Sequence, residues 1–338
     1  MITIDGSMGE GGGQILRTAL SASMITGKPF HIERIRGGRR RPGLLHQHLT
    51  AVRAAGEISG ATTEGGELGS QSLTFHPEAI QRGSYHFATG TAGSTGLILQ
   101  TLLVPLLGCG GESELFIEGG THNEGAPPFE FLDLAFSPVL RMMGADFGLS
   151  LLRPGFYPAG GGRIRAVIRG AAWRPLELRT RGSVVDVWAR ALVARLPISI
   201  AERELALVGD RLEWPRDRLT AVTVEANGPG NVVLATVESE NITEVFTGFG
   251  RRGLPAEEVA TKTIDQIQDY LDANVPVGPH LADQLLLPLA RSGGGCFLTF
   301  EPTAHFRTNM DVLGHFFDVE VTTDFIGERG VLVACRRG

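Results

Sequence analysis

Apolar residues spaced three and four apart alternate with short runs of period two along this chain, and the alternation repeats. Residues 2–4 read as a strand that runs into an acid and then glycines. Residues 14–26 follow as a helix, with Ile15, Leu16, Ala19, Leu20 and Met24 on one stripe. A strand over 30–35, a helix over 44–59 and strands over 61–64 and 72–75 complete a βαβαββ unit. The same order returns with a strand over 85–88, a helix over 95–107 and a strand over 114–118. A helix over 129–143, opened by Pro127-Pro128, and two strands flanking 155–162 finish the second unit. A third unit closes the chain, with a helix over 280–291, a strand over 296–300, a helix over 305–317 and strands over 319–324 and 331–335. Its first strand falls far upstream, at 176–179.

Residues 181–276 therefore read as a smaller α/β domain inserted in the third unit. The pattern predicts helices there over 187–195, 202–211 and 256–273, and strands over 221–225 and 231–237 around the Gly228-Pro229-Gly230 turn. The expected fold class is α/β. Three repeated βαβαββ units form a large domain from residues 1–180 and 277–338, with the inserted domain at 181–276. If the units pack about a shared axis, the glycine turns at 9–13, 90–94 and 278–279 gather at one end and line one site.

Composition narrows the class. The 338 residues are 42% hydrophobic and 20% charged, as in a soluble globular protein with room for about two domains. The first residues carry neither the basic nor the apolar segment of a secretory leader. The most apolar run, 97–107, is interrupted by Gln100, Thr101 and Pro105 and is too short to span a membrane. Cys109, Cys296 and Cys335 form no CxxC pair, so neither a disulfide framework nor a zinc cluster is implied, and a cytoplasmic setting is expected. The net charge of −6 argues against a surface coated in positive charge, while leaving room for a local basic groove.

The run Gly9-Glu10-Gly11-Gly12-Gly13-Gln14-Ile15-Leu16-Arg17 is the densest piece of chemistry. Glycines let backbone N–H groups approach a ligand, and the helix start behind them favours anions. Glu10 would repel phosphate unless a divalent cation stood between them. A Walker loop is excluded, because the only Gly-Lys pair, Gly27-Lys28, has Ala22 in place of the first glycine and Pro29 after it. A dinucleotide fingerprint fails as well, at Gln14 or at Leu16. The bland reading is a tight strand-to-helix turn.

Other segments offer partners. His305 opens a helix behind a buried strand, where the dipole disfavours an imidazolium and Thr303 or Thr308 stands near to orient the ring. A helix-capping role is its plainer alternative. Arg34, Arg36, Arg39, Arg40 and Arg41 form a basic stretch around Gly37-Gly38, suited to phosphate or simply solvated. Gln47 and His48 open the next helix. Asp283 lies at a helix start beside His280 and Gln284, an ordinary first-turn position for an acid.

These motifs together resemble the RNA 3′-terminal phosphate cyclases. The resemblance rests on the 9–17 run, Pro42-Gly43-Leu44-Leu45 with Gln47-His48, Gly155-Phe156-Tyr157-Pro158-Ala159-Gly160-Gly161-Gly162, Leu281-Ala282-Asp283-Gln284 and Thr303-Ala304-His305. It runs almost end to end and keeps motif order. It implies three βαβαββ units with an insertion in the third. It also implies ATP-dependent conversion of an RNA 3′-phosphate into a 2′,3′-cyclic phosphate, through AMP on a histidine and then on the RNA end. By position the nucleophile would be His305. Glu10 would serve a divalent metal (Mg or Mn), and Gln14 the nucleotide. Arg17, Arg36 and Arg39 would meet phosphates. Gln100, Pro127 and Phe131 would surround ATP together with His280, Leu281, Ala282, Asp283 and Gln284. Gln47 and His48 would sit near the RNA end. No membrane and no obligate protein partner is implied.

Neither lysine offers a rival nucleophile, since Lys28 and Lys262 lack the Lys-x-Asp-Gly pattern of lysine adenylyl transferases. Two positions depart from the family pattern. Pro154 stands where the glycine signature usually has Arg or His. His280 stands where many members carry Tyr, and an imidazole stacks on adenine more weakly. A non-catalytic cyclase-like protein of ribosome assembly is the main alternative. The joint presence of His305, Glu10 and Arg17 speaks against it. A carboxyvinyl transferase, built from similar repeated units, shares none of the motifs.

Overall fold

The structure, a computed structural model, describes all residues 1–338. The chain opens with β1 (Ile2–Asp5), α1 (Gly13–Thr26), β2 (Phe30–Glu33), α2 (His46–Ser59), β3 (Thr62–Glu64) and β4 (Leu73–His76). It continues with β5 (Ser84–Ala88), α3 (Thr95–Leu107) and β6 (Ser113–Gly119). A π-helical stretch, Phe131–Phe136, then runs into α4 (Ser137–Met142), followed by β7 (Ala145–Arg153) and β8 (Gly162–Ala171). After β9 (Leu176–Leu178) come β10 (Val184–Ala194), α5 (Ser199–Leu212), β11 (Leu219–Thr223), β12 (Gly230–Ser239), β13 (Thr243–Phe249) and α6 (Ala256–Ala273). The chain ends with α7 (Pro279–Ser292), β14 (Gly294–Thr299), α8 (Ala304–Phe316), β15 (Val319–Ile326) and β16 (Gly330–Arg337).

Three of the four sheets share one strand order: β1-β2-β4-β3, β5-β6-β8-β7 and β9-β14-β16-β15. In each the first pair is parallel and the others antiparallel. A parallel pair needs a long crossover. α1 lies in the first crossover and α3 in the second. In the third sheet the crossover from β9 to β14 holds the whole fourth sheet before α7 begins.

The crossover helices pack inward, together with α8. Leu16 and Leu20 of α1, Leu102 and Leu103 of α3, Leu285 and Leu289 of α7 and Leu313 of α8 belong to one cluster of 61 buried residues. Each such side chain contributes about 1.5–3 kcal/mol by leaving water. The stripe at Ile15, Leu16, Ala19 and Leu20 is buried as its spacing predicts. This packing gathers the N-terminal ends of α1, α7 and α8 into one neighbourhood.

The fourth sheet, ordered β11-β10-β12-β13, has its own core of 17 buried residues under α5 and α6. Its other face turns Leu192, Val232, Leu234 and Val245 into the large cluster. That double burial corrects the sequence reading of 187–195 as a helix: those residues lie in or just beyond β10, a strand paired with both β11 and β12. A strand covered on both faces loses its alternation and reads as an apolar run of either kind. β13 has no counterpart among the elements expected from the pattern. The helix expected over 129–143 is present as one continuous run, 129–142, whose middle, Phe131–Phe136, is π-helical.

Candidate active site

α1, α7 and α8 are tied together by a chain of polar contacts at the same end. Thr18 donates to Asn309 Oδ1 at 2.7 Å, and Asn309 Nδ2 donates to the Asp283 carbonyl at 3.1 Å. Thr303, the N-cap of α8, accepts from the Phe306 N–H at 3.0 Å and donates to Asp283 Oδ1 at 2.8 Å. A cavity of about 700 Å³ opens beside this junction, between α1, α3, α7 and the fourth sheet. Gln14, Arg17, Gln100, Pro127, Phe131, His280, Asp283, Gln284 and His305 all line it.

His305 stands in the first turn of α8, half exposed to the cavity. Both ring nitrogens are engaged. Nδ1 lies 2.5 Å from Gln14 Oε1, and Nε2 lies 2.9 Å from Glu10 Oε2. The threonines expected to orient the ring do other work. Thr303 caps the helix and holds Asp283, and Thr308 donates to the Ala304 carbonyl. A helix-start threonine with a free backbone N–H three residues on satisfies that N–H first.

Arg17 is enclosed at the cavity wall, and burial pushes its pKa down to about 10. No carboxylate or carbonyl of the protein pairs with it, and it lines the cavity with its guanidinium donors unused. Behind it, His48 is buried and its Nδ1 accepts from the Leu45 N–H at 3.2 Å. Burial, with the Arg17 and Arg36 charges, pushes the His48 pKa down to about 3 and keeps the ring neutral. A side chain at Gly13 would collide with it, because a Cβ there would sit 2.2 Å from His48 Nε2. Gly11 has φ +53° and lies against Gly38. The glycine run thus lets the basic loop fold over the start of α1, whose N-cap, Gly12, has no side chain to satisfy the first N–H groups.

Arg39 reaches Glu10 Oε2 at 3.3 Å, joining the His305 cluster from outside the cavity. Arg36 donates to the carbonyls of Arg41 and Gly43, at 2.5 and 3.0 Å, which shapes its own loop. Gln47 accepts from the Ser94 N–H at 3.2 Å. Arg36, Arg39, Gln47 and His48 lie outside the cavity lining, as do Leu281 and Ala282, which are core residues of α7. The three glycine turns are divided as well. Gly278-Pro279 lines the cavity, and the 9–13 turn meets it through Gln14. The 90–94 turn instead packs on Gln47 and on the glycine triple at 160–162.

The far side of the cavity carries amides, an imidazole and a buried carboxyl. Gln100 donates to Gln284 across the gap between α3 and α7. His280 faces the cavity, and burial beside His305 pushes its pKa down. Burial pushes Asp283 up to about 7, against the Thr303 hydrogen bond and with the help of the nearby Glu10 charge.

Two buried groups escape a reading of the sequence. Glu244 of β13 lines the cavity and accepts from the Gly278 N–H at 2.6 Å. His122 is bracketed by Thr121 Oγ1 and Glu130 Oε2, each at 2.8 Å, and stacks on Phe156 beneath the glycine triple. An acid next to Val245 and Phe246 reads as the outward position of a strand. Only the knowledge that both sheet faces are covered marks it as buried.

Residues 8–323 match the sequence profile of the RNA 3′-terminal phosphate cyclase family. The chain is 50% identical over 338 residues to the RNA 3′-terminal phosphate cyclase of Ectopseudomonas mendocina (strain ymp), covering 100% of this chain and 98% of that one. It is 50% identical over 321 residues to the protein of that name from Koribacter versatilis (strain Ellin345), covering 94% and 90%. Against the one from Salmonella typhimurium (strain LT2) it is 46% identical over 335 residues, covering 98% of each. Among solved structures, the enolpyruvyl transferase NikO from Streptomyces tendae aligns with 98% of this chain and 48% of its own, at a TM-score of 0.37 and 11% identity. At that level the likeness says nothing about this chain's fold or activity. The sequence motifs, the matched profile and relatives alike over nearly their full length agree: the chain belongs to the RNA 3′-terminal phosphate cyclase family.

Proposed function

We propose that this protein uses ATP to convert an RNA 3′-phosphate end into a 2′,3′-cyclic phosphate, with His305 as the covalent nucleophile. The observation that carries the reading is His305 held at Nδ1 by Gln14 beside an unpaired Arg17 in one cavity. With Gln14 Oε1 as acceptor, Nδ1 keeps its ring proton, and Nε2 becomes the attacking atom once the proton it shares with Glu10 Oε2 at 2.9 Å has passed to that carboxylate. Nε2 bonds to the α-phosphorus of ATP as the bond to the pyrophosphate oxygen breaks. An oxygen of the RNA 3′-phosphate then takes the AMP and frees the histidine. Finally the 2′-OH attacks the 3′-phosphorus, AMP leaves with the bridging oxygen, and the hydroxyl proton is lost. Splitting the activation into two displacements gives the ring closure a good leaving group.

In this reading Arg17 and the open N–H groups at the start of α1 meet the phosphates. Pro127, Phe131 and His280 enclose the adenine, with Gln100, Asp283 and Gln284 supplying polar contacts. Arg36, Arg39, Gln47 and His48 belong to the side from which RNA arrives. The large domain of residues 1–180 and 277–338 carries the chemistry, and residues 181–276 form the insertion. A cytoplasmic setting suits an RNA substrate. No helix is long and apolar enough to cross a membrane.

A divalent cation fits the site only in a limited way. No three His, Cys, Asp or Glu side chains converge on one point. Glu10 is a half-buried carboxylate beside the proposed nucleophile, and a magnesium-type ion bound with nucleotide needs only one or two carboxylates plus phosphate oxygens. Glu10 would hold such an ion, which would supply neutralisation of phosphate charge.

The test is a 3′-phosphorylated RNA oligonucleotide incubated with the protein, ATP and Mg²⁺ or Mn²⁺. Ends that become resistant to phosphatase, and sensitive again after acid opening of the ring, support the reading. Ends that stay sensitive in the presence of ATP overturn it.

A further inference from the structure

The chain re-enters the large domain from the fourth sheet through five residues, Asn274 to Gly278, and contacts fix this crossing along its length. Arg181 donates to Asn274 Oδ1 at 3.1 Å, and Tyr270 Oη donates to the Pro276 carbonyl at 3.0 Å. Thr299 donates to the Val277 carbonyl at 2.8 Å, and the Val277 N–H donates to the Leu298 carbonyl at 3.2 Å. The last contact comes from the inserted domain. Glu244, buried on β13, accepts the Gly278 N–H at 2.6 Å. Gly278 is the N-cap of α7 and has no side chain of its own to fix where the helix begins.

The start of α7 decides where three cavity residues stand. Pro279 is the first residue of the helix, and the next two turns carry His280, Asp283 and Gln284, all facing the cavity. A shift at the N-cap moves all three together, since a helix is rigid over this length. A side chain at the N-cap would displace the Glu244 carboxyl. A Cβ on Gly278 would lie 2.9 Å from Glu244 Oε1 and 3.1 Å from its Cδ.

We infer that Glu244 is a positioning residue for nucleotide binding, through which the inserted domain sets the start of α7 and so the ATP-facing side of that helix. The inference rests on the proposed use of ATP and gives the inserted domain a role in it. What counts is the acceptor oxygen. Burial pushes the Glu244 pKa up to about 8, against the hydrogen bonds from the Gly278 and Val245 N–H groups, so the carboxyl works without its charge. A glutamine keeps a carbonyl oxygen in the same place.

The experiment measures the rate of AMP attachment to the protein against ATP concentration, for wild type, Glu244→Ala, Glu244→Gln and Gly278→Ala, with thermal melting of each. Glu244→Ala should raise the half-saturating ATP concentration roughly tenfold, the size of one lost hydrogen bond. The maximal rate should fall by less than saturation weakens, because His305 sits on α8 and feels α7 only through the Asp283 contacts to Thr303 and Asn309. Glu244→Gln should restore near-wild-type saturation. Gly278→Ala, which keeps Glu244 but crowds it, should weaken saturation as Glu244→Ala does. Folded Glu244→Ala and Gly278→Ala proteins that saturate like wild type overturn the role of Glu244 and leave the use of ATP intact. A glutamine variant as impaired as the alanine overturns it too. A wild type that takes no label overturns the ATP reading itself.

Discussion

Glu10 Oε2 lies 2.9 Å from Nε2 of His305, a contact across almost the whole length of the chain. The same oxygen is 3.3 Å from Arg39, so the carboxylate is shared between the proposed nucleophile and the basic loop. In the proposed mechanism the attacking nitrogen is therefore covered until Glu10 turns away from it. Glu10→Ala should lower the rate of AMP attachment on the order of a hundredfold, the usual size for losing one electrostatic group at a reacting centre. The melting temperature should stay near that of wild type, since Glu10 is half exposed. Attachment at the wild-type rate would show that Glu10 plays no part.

Arg17 gives a prediction in which stability and activity part company. It is an enclosed cation without a protein partner, which costs folding free energy rather than adding to it. Arg17→Ala should melt at or above the wild-type temperature while AMP attachment falls by about 10²-fold or more. Arg17→Lys should recover only part of the rate, because an ammonium does not reproduce the forked donors. A variant that loses activity in proportion to lost folding would contradict a phosphate-binding Arg17.

Much of the site is legible in the sequence, and the reason is physical. Glycines, a helix start and an arginine one turn in leave a local signature at 9–17, and Gln14 and Arg17 do face one cavity. His305 is legible as a helix-opening residue for the same reason. Its partners are not, because Glu10 and Gln14 reach it only through the packing of α1 on α8. β10 reads wrongly as a helix because burial on both faces removes the alternation that marks a strand. Glu244 stays hidden because nothing local distinguishes a buried acid from an exposed one on a strand. The Thr121–His122–Glu130 group is hidden likewise, since its members come together only under Phe156.

The fourth sheet and the helices that cover it carry a stability prediction of their own. Glu204 of α5 is fully buried, accepts from Asn231 Nδ2 at 2.9 Å, and has its other oxygen unpartnered. Burial pushes its pKa from 4.5 up to about 7. Between those two values the native state keeps a proton that the unfolded chain has lost. This group's contribution to stability is therefore complete below about pH 4.5, falls as pH rises towards 7, and is flat above. Glu204→Gln should flatten the dependence of melting temperature on pH across that window and leave AMP attachment unchanged. Identical profiles for the two proteins would contradict a buried, proton-holding Glu204.

Everything proposed for the cavity turns on the covalent role of His305, and one measurement addresses it directly. Purified protein is incubated with ATP labelled at the α-phosphate and a divalent cation, without RNA, and the label on denatured protein is followed in acid and in base. The predicted result is AMP on the protein, lost in acid and stable in base as a phosphoramidate should be, and absent from a folded His305→Ala variant. Label on that variant at the wild-type level, or a wild type that takes none, would contradict the role given to His305.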